Sequence, residues 1–323
     1  MKQDIIMKRI ALLAGYHKKG LISDYVVYYA KELAKISDVY YFADSEMKSG
    51  ELEKLAPYVK FAGAKRHENY DVGSWQQIIN MLGWDAISQY DELILCNDSC
   101  FVPVHDLKPI FDKASAQQDC DFWAMGKGYD WDSKTWHLYG YFMVYKQKVT
   151  QNAVFRNAIS GFKIDKSWEN ICPFSEFIWT QMFIEEGFKP KTAFDFKDNL
   201  GHSWRTYIKN GMPIFKIKIF TKFAFELNTE SLAGWQKFLK ENTDYDPKLI
   251  ENHLKSINVP YKSSYYFFHS KNIKRAIRKI RRWFFYSNKK HGNDILRIFG
   301  IYIRNKNVDF DTTIYEDNSI PLL

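Results

Sequence analysis

The chain has 323 residues and a formal net charge of +8; 46% of residues are hydrophobic and 17% aromatic. That length and apolar content provide for a sizeable core, with or without an extension, and exclude a globally disordered chain. Residues 271–290 hold nine Lys or Arg and no acid, so the remainder is near neutral, which argues against a general polyanion-binding fold.

Four cysteines, Cys96, Cys100, Cys120 and Cys172, form no C-x-x-C pair. A zinc site is therefore not expected, and they read as reduced thiols of a cytosolic protein. The start, Met1-Lys2-Gln3-Asp4, lacks the apolar region and cleavage site of a signal peptide. No uncharged apolar run is long enough to cross a bilayer. Most of the aromatics read as core.

In chain order, Arg9 to Gly15 reads as a buried strand. Ser23 to Ser37 reads as a helix, with Ser23 or Asp24 as N-cap and Val26, Val27, Ala30, Leu33 and Ala34 at helical spacing. Asp38 to Ala43 and Val59 to Ala62 read as the next strands. A helix over Ser74 to Ile87 carries Trp75, Ile78, Ile79 and Leu82 on one stripe, and Leu93 to Cys96 is a further strand. This β-α-β-β-α-β order predicts an α/β fold, Rossmann-like, with a mostly parallel sheet flanked by helices. Beyond it, the pattern predicts a helix around Leu107 to Ser115 and strands over Asp121 to Met125 and Leu138 to Tyr145, with a Gly- and Asp-rich loop, Gly126 to Thr135, between those strands. Helices over Gln147 to Ser160 and Phe174 to Glu186, a strand over Ile214 to Phe220, and helix over 228–256 follow.

The strand Leu93 to Cys96 ends abruptly in Asn97, Asp98 and Ser99. Oxygen donors at the carboxyl end of a buried α/β strand lie where such sheets bind ligands, and they suit a hard divalent cation, Mg²⁺ or Mn²⁺, that also bridges phosphates. Asn97-Asp98-Ser99 resembles the D-x-D element of nucleotide-sugar transferases. Asp98 would be the principal metal ligand, and Asn97 a neutral oxygen or a ribose contact. Ordinary turn chemistry is the alternative. Upstream, Tyr70-Asp71-Val72-Gly73-Ser74-Trp75 joins a loop to a helix. Asp71 could hydrogen-bond a base or ribose, Gly73 would let backbone approach a ligand, and Ser74 would lie where a helix N-terminus favours phosphate. Simple helix capping by Asp71 or Ser74 is compatible with both. Lys65, Arg66 and Asn69 precede the motif and could face the nucleotide, with a solvated loop as the alternative for Lys65 and Arg66.

These pieces, together with others in a fixed order, resemble the rhamnan synthesis F family of bacterial glycosyltransferases. The matching segments are Asn69 to Trp75, Tyr90 to Cys100, Asp121-Phe122-Trp123-Ala124-Met125, and His137-Leu138 with Tyr141 to Tyr145. Ser175-Glu176 with Thr180-Gln181 follows, then His202-Ser203-Trp204 and Gly211 to Lys216. The resemblance covers about residues 8–220. It implies a glycosyltransferase A-type fold and transfer of a sugar, rhamnose or another hexose, from a nucleoside-diphosphate donor to a growing lipid-linked cell-surface polysaccharide. It also implies His137 and Tyr139 on the acceptor side, although Tyr139-Gly140 stands where more polar residues are usual. His202 would complete a metal shell, unless it is a structural histidine. Glu176 is the candidate general base, because an attacking acceptor hydroxyl must lose its proton to a group within hydrogen-bond reach. A first-turn helix charge is the other reading of Glu176, and Asp130 and Asp132 are alternative bases.

Within residues 271–290, Ile273, Ala276, Ile277, Ile280 and Phe284 share one helical face, and Lys274, Arg275, Arg278, Lys279, Arg281 and Arg282 occupy the other, with Trp283 adjoining. That pattern fits a helix lying in an anionic membrane surface, or packing its apolar face on the rest of the chain. The expected organisation is a catalytic domain over 1–225, a helical extension over 226–268, a basic membrane-associating segment over 269–306 and a flexible acidic tail over 307–323. The expected location is the cytoplasmic face of the cell membrane, with no nucleic-acid partner. A non-catalytic binding protein of a polysaccharide-assembly complex is the alternative function, and a nucleic-acid binder using residues 271–290 is a further one.

Overall fold

The computed structural model describes residues 7–117, 119–129, 136–163, 171–195, 200–224, 230–268, 285–290, 293–298 and 301–305. For 171–177, 267–268 and the strands beyond 284 it describes backbone alone. The chain forms two compact units, residues 1–230 with 235–261, and residues 231–234 with 262–323.

The first unit begins with β1 (Arg9–Gly15), α1 (Asp24–Leu33), β2 (Asp38–Ala43), β3 (Phe61–Ala64), α2 (Tyr70–Leu82), α3 (Trp84–Ile87) and β4 (Glu92–Asn97). β5 (Cys100–Phe101), α4 (Lys108–Ser115), β6 (Phe122–Ala124), β7 (Lys127–Tyr129), β8 (Trp136–Leu138) and β9 (Phe142–Lys146) follow. Then come α5 (Gln147–Thr150), α6 (Ala153–Gly161), α7 (Ile171–Glu185), β10 (Pro190–Thr192), α8 (Trp204–Lys209), β11 (Phe215–Lys216), α9 (Trp235–Asn242) and α10 (Pro247–Ser256).

Seven strands make one sheet in the order β10-β6-β9-β4-β1-β2-β3. Its pairs are parallel except that β9 runs antiparallel to both β4 and β6. β1 and β4 read as unbroken apolar runs because both faces of these central strands are buried. On one face the core joins Leu12, Leu93 and Leu95 to Val72, Trp75, Ile78 and Ile79 of α2. The Trp75 indole N–H donates to the Cys96 carbonyl at 3.0 Å, which fixes α2 against the end of β4.

Several elements depart from the sequence pattern, each for a local reason. α2 begins at Tyr70 and ends before Gly83, whose φ of +78° a side chain rarely adopts, and the chain restarts as α3. β3 is shifted to Phe61–Ala64 because its ladder on β2 starts at Tyr40↔Phe61. Residues 138–145 are not one strand. Tyr139 N–H is held by the Gly126 carbonyl at 3.0 Å, so Leu138 closes a separate β7–β8 ribbon before β9 joins the main sheet. Asn152 divides 147–160 by accepting from the Val154 and Phe155 N–H groups at 2.7 and 3.1 Å, which caps α6. Asp246 caps α10 through Lys248 N–H at 2.9 Å, and Pro247 stands at its first position, so 228–256 is not one helix. After β11 the chain makes a short 3₁₀ turn over Ile217–Ile219 rather than continuing as a strand.

α10 packs on α1. His253 Nδ1 shares a hydrogen bond of 3.0 Å with Ser23 Oγ, and its ring meets the edge of Tyr25 at 4.7 Å. Burial, with the nearby His17 charge, pushes His253 down to about 4. Its folded pKa lies below the ordinary 6.5, so this contribution is complete above pH 6.5 and is lost as pH falls towards 4. Urea unfolding of His253→Gln against the parent chain is therefore expected to converge between pH 7 and pH 5. Over that interval the parent should lose about 2 kcal/mol that the variant does not. Parallel pH profiles would contradict this.

The second unit contains α11 (Ser263–Phe268) and an antiparallel meander of β12 (Phe285–Lys290), β13 (Asn293–Ile298) and β14 (Ile301–Asn305). The helical pattern read over 271–290 thus gives way to strand from Phe285. Its remaining part, residues 271–284, lies outside the described residues, as does the tail 307–323. Among the described residues no helix is long and apolar enough to cross a membrane.

Candidate active site

The carboxyl ends of β1, β2, β3 and β4 meet along one edge of the sheet, and the loops that leave them form the site. Asn97 is the last residue of β4, in register with Ala14. Asp98 is pinned there through its backbone: its N–H donates to the Ala14 carbonyl at 2.9 Å, and its carbonyl accepts from Tyr25 Oη–H at 2.6 Å. Its carboxylate Oδ2 accepts from the Tyr16 N–H at 3.0 Å, so the loop after β1 orients it. Burial, aided by the negative charge of Asp71, pushes Asp98 up to about 7.

Asp71 enters the same site from the first turn of α2. Asn97 Nδ2 donates to Asp71 Oδ2 at 2.8 Å, and Val72 N–H donates to Oδ1 at 3.1 Å. Burial raises Asp71 too, against these bonds. Asn97 Oδ1 meanwhile accepts from Ser99 N–H at 3.2 Å and Ser99 Oγ–H at 2.6 Å. The side chain of Asn97 is thereby a brace between Asp71 and the Asp98 loop, with both ends engaged. Asn97 thus links the Asp71 carboxylate to the end of β4, and the Asp71 charge acts on Asp98.

The preceding loop is organised by Asp44, at the carboxyl end of β2 and buried. Its Oδ1 accepts from the His67 and Glu68 N–H groups at 2.8 and 3.0 Å, and its Oδ2 pairs with Arg66 Nη1 at 2.9 Å. The guanidinium of Arg66 lies 5.6 Å from the centre of the exposed Tyr16 ring. Lys65 is exposed beside it. Other expected contacts turn inward. Ser74 is fully buried and shares a 3.1 Å bond with His67 Nε2, so it is no phosphate contact. A Cβ on Gly73 would lie 2.4 Å from His67 Nδ1, so glycine serves the approach of His67 rather than of a ligand. Asn69 Nδ2 donates to Gln76 Oε1 at 3.0 Å and to the Phe162 carbonyl at 3.3 Å. Tyr70 projects to solvent, with φ of +50°.

On the other side of Asn97, its N–H donates to the Tyr141 carbonyl at 3.3 Å. The Tyr141 and Tyr139 rings stack with centres 5.4 Å apart, and buried His137 meets Tyr139 edge-on at 5.9 Å. Gly128 permits this: a Cβ there would stand 2.9 Å from the Tyr139 ring and 3.0 Å from His137. Thr180 Oγ1 accepts from Leu138 N–H at 3.1 Å, and Gln181 Nε2 donates to the Trp136 carbonyl at 2.7 Å, which docks α7 on β8. Glu176 lies one turn before Thr180, in the second turn of α7 rather than at its start; its side chain is outside the described residues. Asp130 and Asp132 are also outside them. His202 is exposed in the turn ahead of α8.

The donor set fits a hard divalent ion in part. Burial disfavours ionisation of both carboxylates, and the charge of Asp71 adds to this at Asp98, so a bound cation would favour the charged forms. Among the described residues, however, no three His, Cys, Asp or Glu side chains form a metal-holding group, and His202 adds none. Sequence reading passed over Tyr16, Asp44 and His67. Asp44 carried a usable signal, an acid directly after an apolar strand, as Asp98 is.

The family description that matches the chain is rhamnan synthesis protein F, over residues 39–310. No curated protein sequence matches it. Among solved structures, the glycosyltransferase GlyE of Streptococcus pneumoniae TIGR4 is 14% identical, with a TM-score of 0.41, over 79% of this chain and 65% of that one. A cytidylyltransferase of Leptospira borgpetersenii is 15% identical, with a TM-score of 0.34, over 60% and 77%. Core-mannan synthase A of Aspergillus fumigatus, in a Mn/GDP form, is 8% identical, with a TM-score of 0.29, over 46% and 62%. Likeness at this distance does not extend to activity. The expected α/β architecture, a mostly parallel sheet flanked by helices, is the one the chain adopts.

Proposed function

The chain belongs to the rhamnan synthesis protein F family, a family of glycosyltransferases, and from that premise we propose that it moves a sugar, rhamnose or another hexose, from a nucleoside diphosphate to a lipid-linked glycan. The observation that carries this reading is the convergence of Asp71, Asn97 and Asp98 at the carboxyl ends of β1 and β4, under the loop bearing Tyr16. Such a crevice is where open α/β sheets take phosphorylated ligands. Tyr16, exposed and backed by Arg66, offers a ring face for the base. Asp98, with Asp71 behind it, would hold Mg²⁺ or Mn²⁺, which supplies positive charge to the leaving diphosphate. Glu176 takes the proton of the acceptor hydroxyl, and His137 and Tyr139 border the acceptor.

A thermal-shift screen of nucleoside-diphosphate sugars, with and without Mn²⁺, tests the reading. One donor class is expected to raise the melting temperature by several degrees, since a ligand that binds only the folded chain stabilises it by mass action. No shift with any donor, and no donor hydrolysis, would leave a non-catalytic assembly protein as the better account.

Attachment to the membrane belongs to the same proposal. Lys274, Arg275, Arg278, Lys279, Arg281 and Arg282 share one sign of charge, with Trp283 and Phe284 beside them. Each basic residue near an anionic bilayer contributes about 1 kcal/mol. Removing residues 269–323 is expected to abolish cosedimentation with anionic vesicles while the remainder stays folded. Undiminished vesicle binding would remove this role, and salt-sensitive duplex binding in its place would point to nucleic acid.

A further inference from the structure

We propose that Lys216 is a fixed cation of the donor site, its ammonium set against the diphosphate by the β5–β11 ladder and the Tyr139–Tyr141 stack. This rests on the nucleotide-sugar reading above and goes beyond it, since the acidic motifs alone supply no positive charge.

The ladder places the residue. β11 pairs antiparallel with β5, with Lys216 opposite Cys100 and Phe215 opposite Phe101, and Ile217 N–H donates to the Ser99 carbonyl at 3.2 Å. Lys216 is thus strapped to the residues that directly follow Asp98. Side chains alternate along a strand. Phe215 packs inward, stacked on Trp204 at 4.9 Å and against Phe220 at 5.1 Å. Lys216 therefore takes the opposite face.

There its Nζ lies 4.2 Å from the centre of the Tyr141 ring and 5.0 Å from that of Tyr139. Tyr141 is the residue whose carbonyl receives the Asn97 N–H. The aromatic pair carrying the ammonium is therefore joined to the acidic motif by a backbone bond.

The chemistry follows. As the bond from the anomeric carbon to the donor's phosphate oxygen breaks, its electron pair stays on that oxygen and the diphosphate leaves with added negative charge. The acceptor oxygen forms the new bond to carbon, and its proton goes to the base. A cation held in place before the reaction stabilises the departing charge more than the ground state. A lysine merely covering two tyrosine rings would contribute packing alone.

The test uses the full chain and calorimetric titration with UDP, GDP, CDP, ADP and dTDP and with their parent nucleosides. Lys216→Met keeps the aliphatic stem on the rings and removes the charge. It is expected to weaken the diphosphate that binds the parent chain by about tenfold to a hundredfold, the usual weight of a charge-assisted contact. Affinity for the nucleoside should stay within about twofold. Lys216→Arg should recover most of the loss. If Lys216→Met binds that diphosphate as the parent does, or loses nucleoside and diphosphate equally, Lys216 is not a donor cation while the donor reading stands. If the parent chain binds none of the diphosphates, the donor reading itself falls and takes this inference with it.

Discussion

Asp98→Asn is expected to abolish sugar transfer and, at neutral pH, to make the folded chain more stable. The loss of activity follows from its position. Asp98 follows β4, with its carboxylate held by the Tyr16 N–H and its backbone N–H by the Ala14 carbonyl, and in the proposed function it would hold the metal that faces the leaving diphosphate. Removing one preorganised electrostatic partner of a developing charge lowers kcat by about a hundredfold to a thousandfold. The gain in stability follows from its pKa. Burial and the neighbouring Asp71 raise the Asp98 carboxyl from its ordinary 3.8 to about 7. A folded pKa above the unfolded one gives a contribution that is complete below pH 4 and is lost as pH rises through 7. The unliganded site is therefore most strained at and above neutrality. Asparagine keeps an oxygen for the Tyr16 N–H and carries no charge to bury. Its advantage in urea unfolding should be about 1–2 kcal/mol at pH 8 and should vanish near pH 4. A variant that loses activity and also loses stability at pH 8 would mean that Asp98 is a structural carboxylate.

Glu176→Gln is the second large effect. Transfer should fall by about a hundredfold to ten-thousandfold, the usual range for a lost general base. Binding of donor nucleotide should be unchanged, because in the proposed function Glu176 serves the acceptor hydroxyl and not the donor. Thr180, one turn on, receives Leu138 N–H, and Gln181 holds Trp136, so this helix follows β8 and not the Asp71–Asp98 crevice. Single-turnover transfer measured beside calorimetric donor affinity separates the two quantities. Turnover near that of the parent chain would pass the role to Asp130 or Asp132, which follow β7 in the sequence. A joint loss of donor affinity would place Glu176 in the donor site instead.

What could be read from the residues alone has a physical boundary. β1 and β2 were legible to the residue, because strands inside a parallel sheet read as apolar runs, and these runs end at Gly15 and Ala43. Asp98 was legible for the same reason in reverse: three small polar side chains after such a run have few roles other than a turn or a ligand. The helix breaks were harder to see. Gly83, Asn152 and the Asp246-Pro247 pair each stop a helix whose apolar spacing continues across the break. Ser74 shows a different failure. Its spacing put it at a helix start, yet α2 begins at Tyr70, so Ser74 turns into the interior and bonds His67. Lys216 could be matched as part of a motif but not given a role, because it is the antiparallel β5–β11 ladder that brings it opposite Cys100, two residues after Asp98.

Asp44 and Arg66 belong to the same lesson. Arg66 read as a loop cation facing nucleotide or solvent. In the fold it is tied to Asp44 and lies over Tyr16, so its charge is partly committed to shaping the loop that presents that ring. A base stacked on Tyr16 would feel Arg66 through the ring, not through a direct bond.

The most direct measurement is a crystal structure of the full chain soaked with the nucleoside-diphosphate sugar that gives the largest thermal shift, in the presence of Mn²⁺. The diphosphate should lie in the crevice between Asp98 and Lys216, with the base on Tyr16 and the metal on Asp98. A diphosphate bound at another surface, with the Asp71–Asp98 crevice empty at full ligand occupancy, would contradict the assignment of the site.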